Sequence, residues 1–287
     1  MPVSAAVAHS FRRPPGFPLE RFAAARYRTA MFPIRDDNPT LRASVATMAI
    51  VAVNALAWVF VQRLGIDPGL SESVWRFGLI PGELLGRVRP GTEVPAGPGL
   101  VAVLDGAPNG WSVLTSMFMH GGWMHIIGNM WFLLVFGDNV EDAMGPFRFV
   151  VFYLLCGVAA AAAQVLSGPS SLVPMVGASG AIGGVMGAYL ILYPRAPVHL
   201  LVWIGFYASR VVVPAFFMLG YWFLLQLVAG AVDRGHGGVA FWAHVGGFAA
   251  GALLVRPFCN PARLAAFRDR RARRWGARNP GGYGRWT

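Results

Sequence analysis

The chain has 287 residues, 55% of them hydrophobic and 13% charged, with a mean hydropathy of +0.51 and a formal charge of +11. Soluble domains carry about 25% charged residues, so this balance excludes an ordinary soluble enzyme and indicates a membrane protein. All 24 basic residues are arginines, and they gather at the two ends, seven between Arg12 and Arg42 and eight between Arg263 and Arg285. Flanking an apolar centre, they read as cytoplasmic anchors and not as a groove for phosphates, which sets nucleic acid aside as a partner. Cys156, inside an apolar run, and Cys259, beside the basic tail, make neither a disulfide framework nor a metal cluster.

Residues 1–42 are polar, arginine-rich and punctuated by proline, and are expected to form a cytoplasmic tail. They lack the apolar core of a cleavable signal peptide, so the first span is expected to serve as an uncleaved anchor. Residues 43–257 read as an all-α polytopic membrane domain of six transmembrane helices. The first span runs from Ala43 to Gln62, long enough for a hydrocarbon core about 30 Å thick. A long outer connection, 63–112, is rich in Gly and Pro yet holds Trp75, Phe77, Leu79 and Ile80. Connections of this length seldom lack a role, so it is expected to fold on the membrane surface. The second span covers Trp123 to Phe136, extending to Asn139, and is followed by an acidic turn with Asp138, Glu141 and Asp142. The third covers Phe149 to Leu166 and the fourth Val176 to Tyr193, joined by a Pro/Ser connector. The stretch from His199 to Gly230 is too long for one span and too short for two, so His199 to Ser209 is read as interfacial and Val211 to Gly230 as the fifth span. The sixth covers Val239 to Val255, and residues 258–287 form a second basic cytoplasmic tail.

Six spans put both termini on one side, and both are basic, so that side is the cytoplasm. This parity also sets depth. Spans 2, 4 and 6 all enter from outside, carrying His125 and Asn129, Ser179, and His244 respectively within a turn or so of their starts. Polar side chains from three distant segments thus converge just below the outer face, where polar groups are expensive and mark function. On a helix, Gly183 and Gly187 follow Ser179 on one face, and Gly247 and Gly251 follow His244 on another. Glycine stripes mark faces where membrane helices approach closely, so a hydroxyl and an imidazole are expected side by side.

Taken singly, each of these residues has a bland reading: Ser179 as a packing hydroxyl, His244 as an interhelical hydrogen bonder, Asn129 as glue between spans. Matching depth and paired glycine stripes favour the joint reading, with Ser179 as nucleophile and His244 as base. No Asp or Glu lies inside the six spans, so the expected site is a dyad. His125 and Asn129, at i and i+4, share a face and can donate to an oxyanion, as can the backbone N–H of Ser179. A metal site from His120, His125 and His244 lacks carboxylate or cysteine support, so no metal or other cofactor is expected. The aromatics Phe216, Phe217, Tyr221, Trp222 and Phe223 read as lipid-facing or packing residues.

The motif GASG from Gly177 to Gly180, the spacing of His120, His125 and Asn129, and AHxxGxxxG from Ala243 to Gly251 resemble those of the rhomboid intramembrane serine proteases. The turn Gly137, Glu141, Gly145 is similar to that family's pattern after its second span. The resemblance covers Ala43 to Val255. It implies a six-helix bundle with a water-filled cavity open to the outside, a Ser179–His244 dyad, and an oxyanion site from His125, Asn129 and the Ser179 amide. It also implies helix-packing support from Gly177, Gly180, Gly183, Gly187, Gly247 and Gly251. Family members cut transmembrane segments of other proteins near the outer surface of the bilayer, without a cofactor. Substrate access would be lateral, past Val211–Gly230 and the loop Asp233–Gly238. Two positions depart from the pattern. Ser112 follows Trp111 where many members have arginine, and Gly183 stands where some carry an aromatic that packs on the histidine.

The resulting expectation is an intramembrane serine endopeptidase in a bacterial plasma membrane, with transmembrane proteins as substrates. Its rivals are a non-catalytic relative that binds membrane clients, and a transporter. The retained serine and histidine speak against the first, and the absence of inverted repeats speaks against the second. Substrate identity and oligomeric state are not written in the sequence.

Overall fold

The computed structural model describes residues 9–12, 29–97, 99–204, 207–233 and 239–278. Two short strands come first, β1 (Ser10–Arg12) and β2 (Thr29–Asp36), then α1 (Val45–Leu56), which runs on as a π-helical turn to Val61. The outer connection holds α2 (Gly69–Phe77), α3 (Pro81–Leu84), the hairpin β3 (Thr92–Gly97) and β4 (Leu100–Leu104), and α4 (Ser112–Thr115). The bundle continues with α5 (Trp123–Met144), α6 (Pro146–Ser167) and α7 (Ser179–Leu192). Strands β5 (Pro197–Ile204) and β6 (Tyr207–Pro214) precede α8 (Ala215–Val232), α9 (Phe241–Phe258) and α10 (Pro261–Arg278).

The architecture is helical but not all-α. The segment expected to be interfacial, His199–Ser209, belongs to the β5–β6 hairpin, with β2 as third strand in the order β2-β5-β6. Its run of Leu, Val, Trp and Ile has the apolarity of a membrane span and the β-branching of a strand. Because β6 takes residues up to Pro214, the fifth helix starts at Ala215, four residues later than Val211. By length and composition, α6 and α8 are the two described helices apolar and long enough to cross a membrane. At 14 residues α7 reaches only about 21 Å, so it cannot traverse a core about 30 Å thick. The residues Val176–Ala178, expected inside that span, instead form the approach to it, with Gly177 at φ +122°. The nucleophile candidate therefore stands at a helix start.

Other expected boundaries also move. The acidic turn after the second span is helical, because α5 runs on to Met144 and buries Glu141 and Asp142. Glu141 has a structural reason to be there. Its carboxylate accepts the backbone N–H groups of Ala46 and Thr47 at 2.9 and 2.7 Å, and the Thr47 hydroxyl at 2.7 Å. It thereby caps the N-terminus of α1 with a negative charge. The outer connection folds around its own core of Trp75, Ile80, Val88, Leu100 and Leu104. It also holds the segment leading into α7, through reciprocal backbone bonds between Leu79 and Met175 (2.9 and 2.8 Å) and from Gly82 N–H to the Ser171 carbonyl (2.9 Å).

Neither tail is purely a tail. At the C-terminal end, α10 packs Phe267 against Tyr193, ring centroids 5.1 Å apart. Near the N-terminus, β2 lies on the bundle, where the Trp131 indole N–H donates to the Pro33 carbonyl at 2.6 Å and the Tyr189 hydroxyl bonds Asp36. Strand β1 pairs with β4 of the outer connection. Since α1 separates those strands in sequence, a bilayer crossed by α1 would put them on opposite sides unless the arginine-bearing residues 13–28 also crossed. That stretch lies outside the described residues, as does most of the expected gate loop, 234–238.

Candidate active site

Two helices define the site by how closely they meet. A Cβ added at Gly247 of α9 would lie 1.9 Å from the Gly180 carbonyl oxygen of α7, and one at Gly251 would lie 1.9 Å from that of Gly184. A Cβ at Gly187 would sit 2.2 Å from the Phe248 carbonyl, and one at Gly183 would sit 3.1 Å from that of His244. Real Cβ atoms do not occupy the space at Gly187, Gly247 and Gly251, and at Gly183 one would be tight, so these glycines allow backbone-to-backbone contact between α7 and α9. Gly180 also faces α6, where its added Cβ would lie 2.6 Å from that of Ala160. The expected glycine stripes are thus contact faces, with Gly184 and Gly246 as members the sequence reading did not single out. Gly177 works differently: it precedes α7, and a Cβ there would meet the His125 ring at 2.7 Å.

This contact brings the Ser179 hydroxyl oxygen to 2.8 Å from Nε2 of His244. Ser179 is the first residue of α7, so its N–H lies ahead of the first intrahelical bond, from Ile182 N–H to the Ala178 carbonyl. From α5, His125 accepts the Gly121 backbone N–H on Nδ1 at 3.2 Å. That bond leaves the proton of a neutral ring on Nε2, the nitrogen facing Gly177. Asn129, one turn further along α5, is buried, and its Nδ2 has no hydrogen-bond partner. Buried amide donors are seldom left unpaired, so this donor has chemistry available to it. His125, Asn129, Ser179 and His244 line one cavity of about 460 Å³, together with Met186 and Trp222.

Several supporting residues escaped the sequence reading. Gln62, at the end of the first span, clamps the His120 backbone from both sides, each bond 2.7 Å. Through it His120 is held edge-on to His125, ring centroids 5.2 Å apart. The Gln164 side chain accepts the Ala243 N–H at 3.2 Å, in the first turn of α9, sharing that donor with the Ala240 carbonyl at 3.1 Å. Trp222, read as an ordinary packing aromatic, covers the His244 ring at 5.7 Å and takes the place of an aromatic at Gly183. Gln226 bonds Nδ1 of His244 at 2.8 Å. Ser112, which follows Trp111, is buried and bonds the Asn109 carbonyl. Away from this cavity, His9, Glu83 and Asp105 bring one potential ligand atom each within 4.8 Å of one another, from residues lying on either side of α1 in sequence.

Comparison with known proteins places the chain among relatives. RHOMBOID-like protein 4 of Arabidopsis thaliana is 33% identical over 156 residues, covering 52% of this chain and 35% of the relative. Rhomboid protease GluP of Bacillus subtilis is 33% identical over 148 residues, covering 51% and 26% respectively. Putative rhomboid protease YdcA of the same organism is 28% identical over 145 residues, covering 50% and 60%. The match thus spans from about a quarter to 60% of these relatives' lengths. A sequence profile described as the Rhomboid domain matches residues 107–261, from before α5 to the start of α10 and including all four site residues. The chain belongs to the rhomboid family of membrane proteins.

Proposed function

We propose that this chain is an intramembrane serine endopeptidase acting on transmembrane segments of other proteins. The observation that carries the proposal is the 2.8 Å contact between the Ser179 hydroxyl and Nε2 of His244, made inside a cavity where Asn129 Nδ2 is an unused donor. Ser179 Oγ attacks the scissile carbonyl carbon while its proton passes to His244 Nε2. The oxyanion accepts from His125 Nε2–H, Asn129 Nδ2–H and the Ser179 amide. The C–N bond breaks as His244 returns the proton to the leaving amine. Water then gives a proton to His244 and attacks the ester, and Ser179 leaves with its proton restored. No step calls on a cofactor.

On this reading cleavage occurs near the outer face, at the start of α7. A substrate helix must unwind to enter, so small or helix-breaking residues favour cleavage. With liposome-reconstituted protein and a single-span test substrate carrying such residues in its outer third, cleavage should need Ser179 and fall at least tenfold when they become leucine. Unchanged cleavage after both replacements contradicts the proposal.

The proposal extends to topology: six crossings, residues 43–257 as the membrane domain, and both termini in the cytoplasm of a bacterial plasma membrane. The short α7 completes its crossing with the 171–178 segment. Arginine at a helix centre costs about 2.5–3.5 kcal/mol on insertion scales, so transfer of residues 13–28 across the bilayer is disfavoured, in opposition to the β1–β4 pairing.

A further inference from the structure

We propose that Gln226 is the positioning residue for His244, the third member of a Ser179–His244–Gln226 relay whose last partner is neutral. The inference deepens the protease reading and rests on it.

Helix α8 offers this side chain in a setting where an amide is costly. Its sequence, AFFMLGYWFLLQLVAGAV, holds no Asp, Glu, Lys, Arg or His and a single carboxamide. A carboxamide on a membrane helix with no partner costs several kcal/mol, so its placement calls for one. Gln226 finds it in Nδ1 of His244, through Oε1 at 2.8 Å. Ala215, Leu219, Trp222, Gln226 and Gly230 recur at three- and four-residue steps along α8, the spacing of one helix face. Ala215, Leu219 and Gly230 of that series are buried, so it is the face turned to the bundle. Trp222, one turn before Gln226, lies over the same imidazole and also packs against Phe248, ring centroids 6.1 Å apart. One helix face therefore fixes both the plane and the rotation of the ring.

The proton inventory gives the bond a direction. For Nε2 to take the Ser179 proton it must be bare, so the neutral imidazole must carry its hydrogen on Nδ1. A hydrogen on Nδ1 needs an acceptor, and Oε1 of Gln226 supplies it. The opposite arrangement, with the Gln226 amide donating to a bare Nδ1, would put the hydrogen on Nε2, where it would point at Ser179 and disable the base. The Gln226 amide orientation and the catalytic tautomer are one choice. A neutral acceptor orients the ring without opposing the positive charge that develops on it.

The test uses the purified full chain and a fluorophosphonate probe, whose phosphorus accepts Ser179 Oγ as fluoride departs. Limiting labelling rate and half-saturating probe concentration are read separately. Gln226→Met keeps the volume and removes the acceptor. It should lower the limiting rate about 10–100-fold, as losing an outer partner of a functional histidine commonly does, and leave half-saturation within about twofold. Gln226→Glu restores an acceptor and should recover most of that rate. A Gln226→Met rate within about twofold of wild type, while Ser179→Ala is dead, overturns this inference alone. Labelling that survives Ser179→Ala overturns the protease reading and this inference with it. A measurement on the unsubstituted chain guards against misfolded variants. The ¹⁵N signals of His244, identified by their loss in His244→Ala, should show a hydrogen on Nδ1, and a hydrogen on Nε2 overturns the inference.

Discussion

Helices α7 and α8 both reach the same imidazole, but they are held by opposite means. Between α7 and α9 the backbones touch, with room for no Cβ at Gly247 or Gly251, and α6 closes on the pair through Ala160 and Ala163. Along α8 only Ala215, Met218, Leu219 and Gly230 are buried, while Phe216, Phe217, Leu224, Val228 and Val232 face outward. In a bilayer, lipid tails satisfy such side chains as well as protein does, so helix association depends on close packing and polar bonds. The seam fixes the distance between Ser179 and His244, whereas the thinly packed α8 bears only on the angle of the imidazole. Distance and orientation are set by separate structural elements.

The contrast can be broken most severely at the seam. Gly251→Leu would drive a side chain into the Gly184 backbone, which cannot yield as a flexible side chain could. It should destabilise the bundle by about 3 kcal/mol or more and abolish labelling, read as a lowered thermal midpoint in detergent. Next comes Asn129→Ala, which leaves packing nearly intact and removes the unused donor. Its cleavage rate should fall by about 10²–10³ with little change in midpoint. Smallest of all, Leu224→Ala on the outward face of α8 should change stability by less than about 0.5 kcal/mol and leave labelling unchanged. A large loss there would mean α8 is seated as firmly as α7.

The end of the bundle where β2 lies sharpens the comparison through pH. Burial pushes the Asp36 carboxyl from 3.8 up to about 7, the Tyr189 hydroxyl bond opposes that rise, and neighbouring Asp138 adds to it. Because the folded state holds this proton more tightly than the unfolded chain, the stabilisation is complete below pH about 4 and is lost as pH rises through 7. The thermal midpoint should therefore decline between pH 5 and pH 8, and Asp36→Asn should flatten that decline. Topology has its own probe. With both termini cytoplasmic, Ser10→Cys should resist an impermeant thiol reagent added outside intact cells, whereas labelling from outside would favour the β1–β4 pairing.

Much of the site could be read from the sequence because its chemistry sits on periodic elements. The glycines after Ser179 and His244 recur at helical spacing, and His125 and Asn129 share a helix face, so their convergence could be expected from helical pattern. The parts that escaped have physical reasons. Strand β5 carries an apolar run that suits an interfacial segment as well as a strand, and its partner β2 lies about 160 residues earlier, beyond the reach of local pattern. Helix α7 loses its expected first turn to the positive φ of Gly177, a conformation that an apolar run does not announce. Gln62, Gln164 and Gln226 are isolated amides in apolar surroundings, and each acquires meaning only from the backbone group or ring it meets.

The central claim, that Ser179 is activated by His244, is tested most directly by fluorophosphonate labelling of the purified wild type beside Ser179→Ala and His244→Ala. The account predicts labelling of the wild type alone. Equal labelling of Ser179→Ala would contradict the nucleophile assignment. Failure of folded wild type to label at all would favour a rhomboid-family protein that binds membrane clients without cutting them.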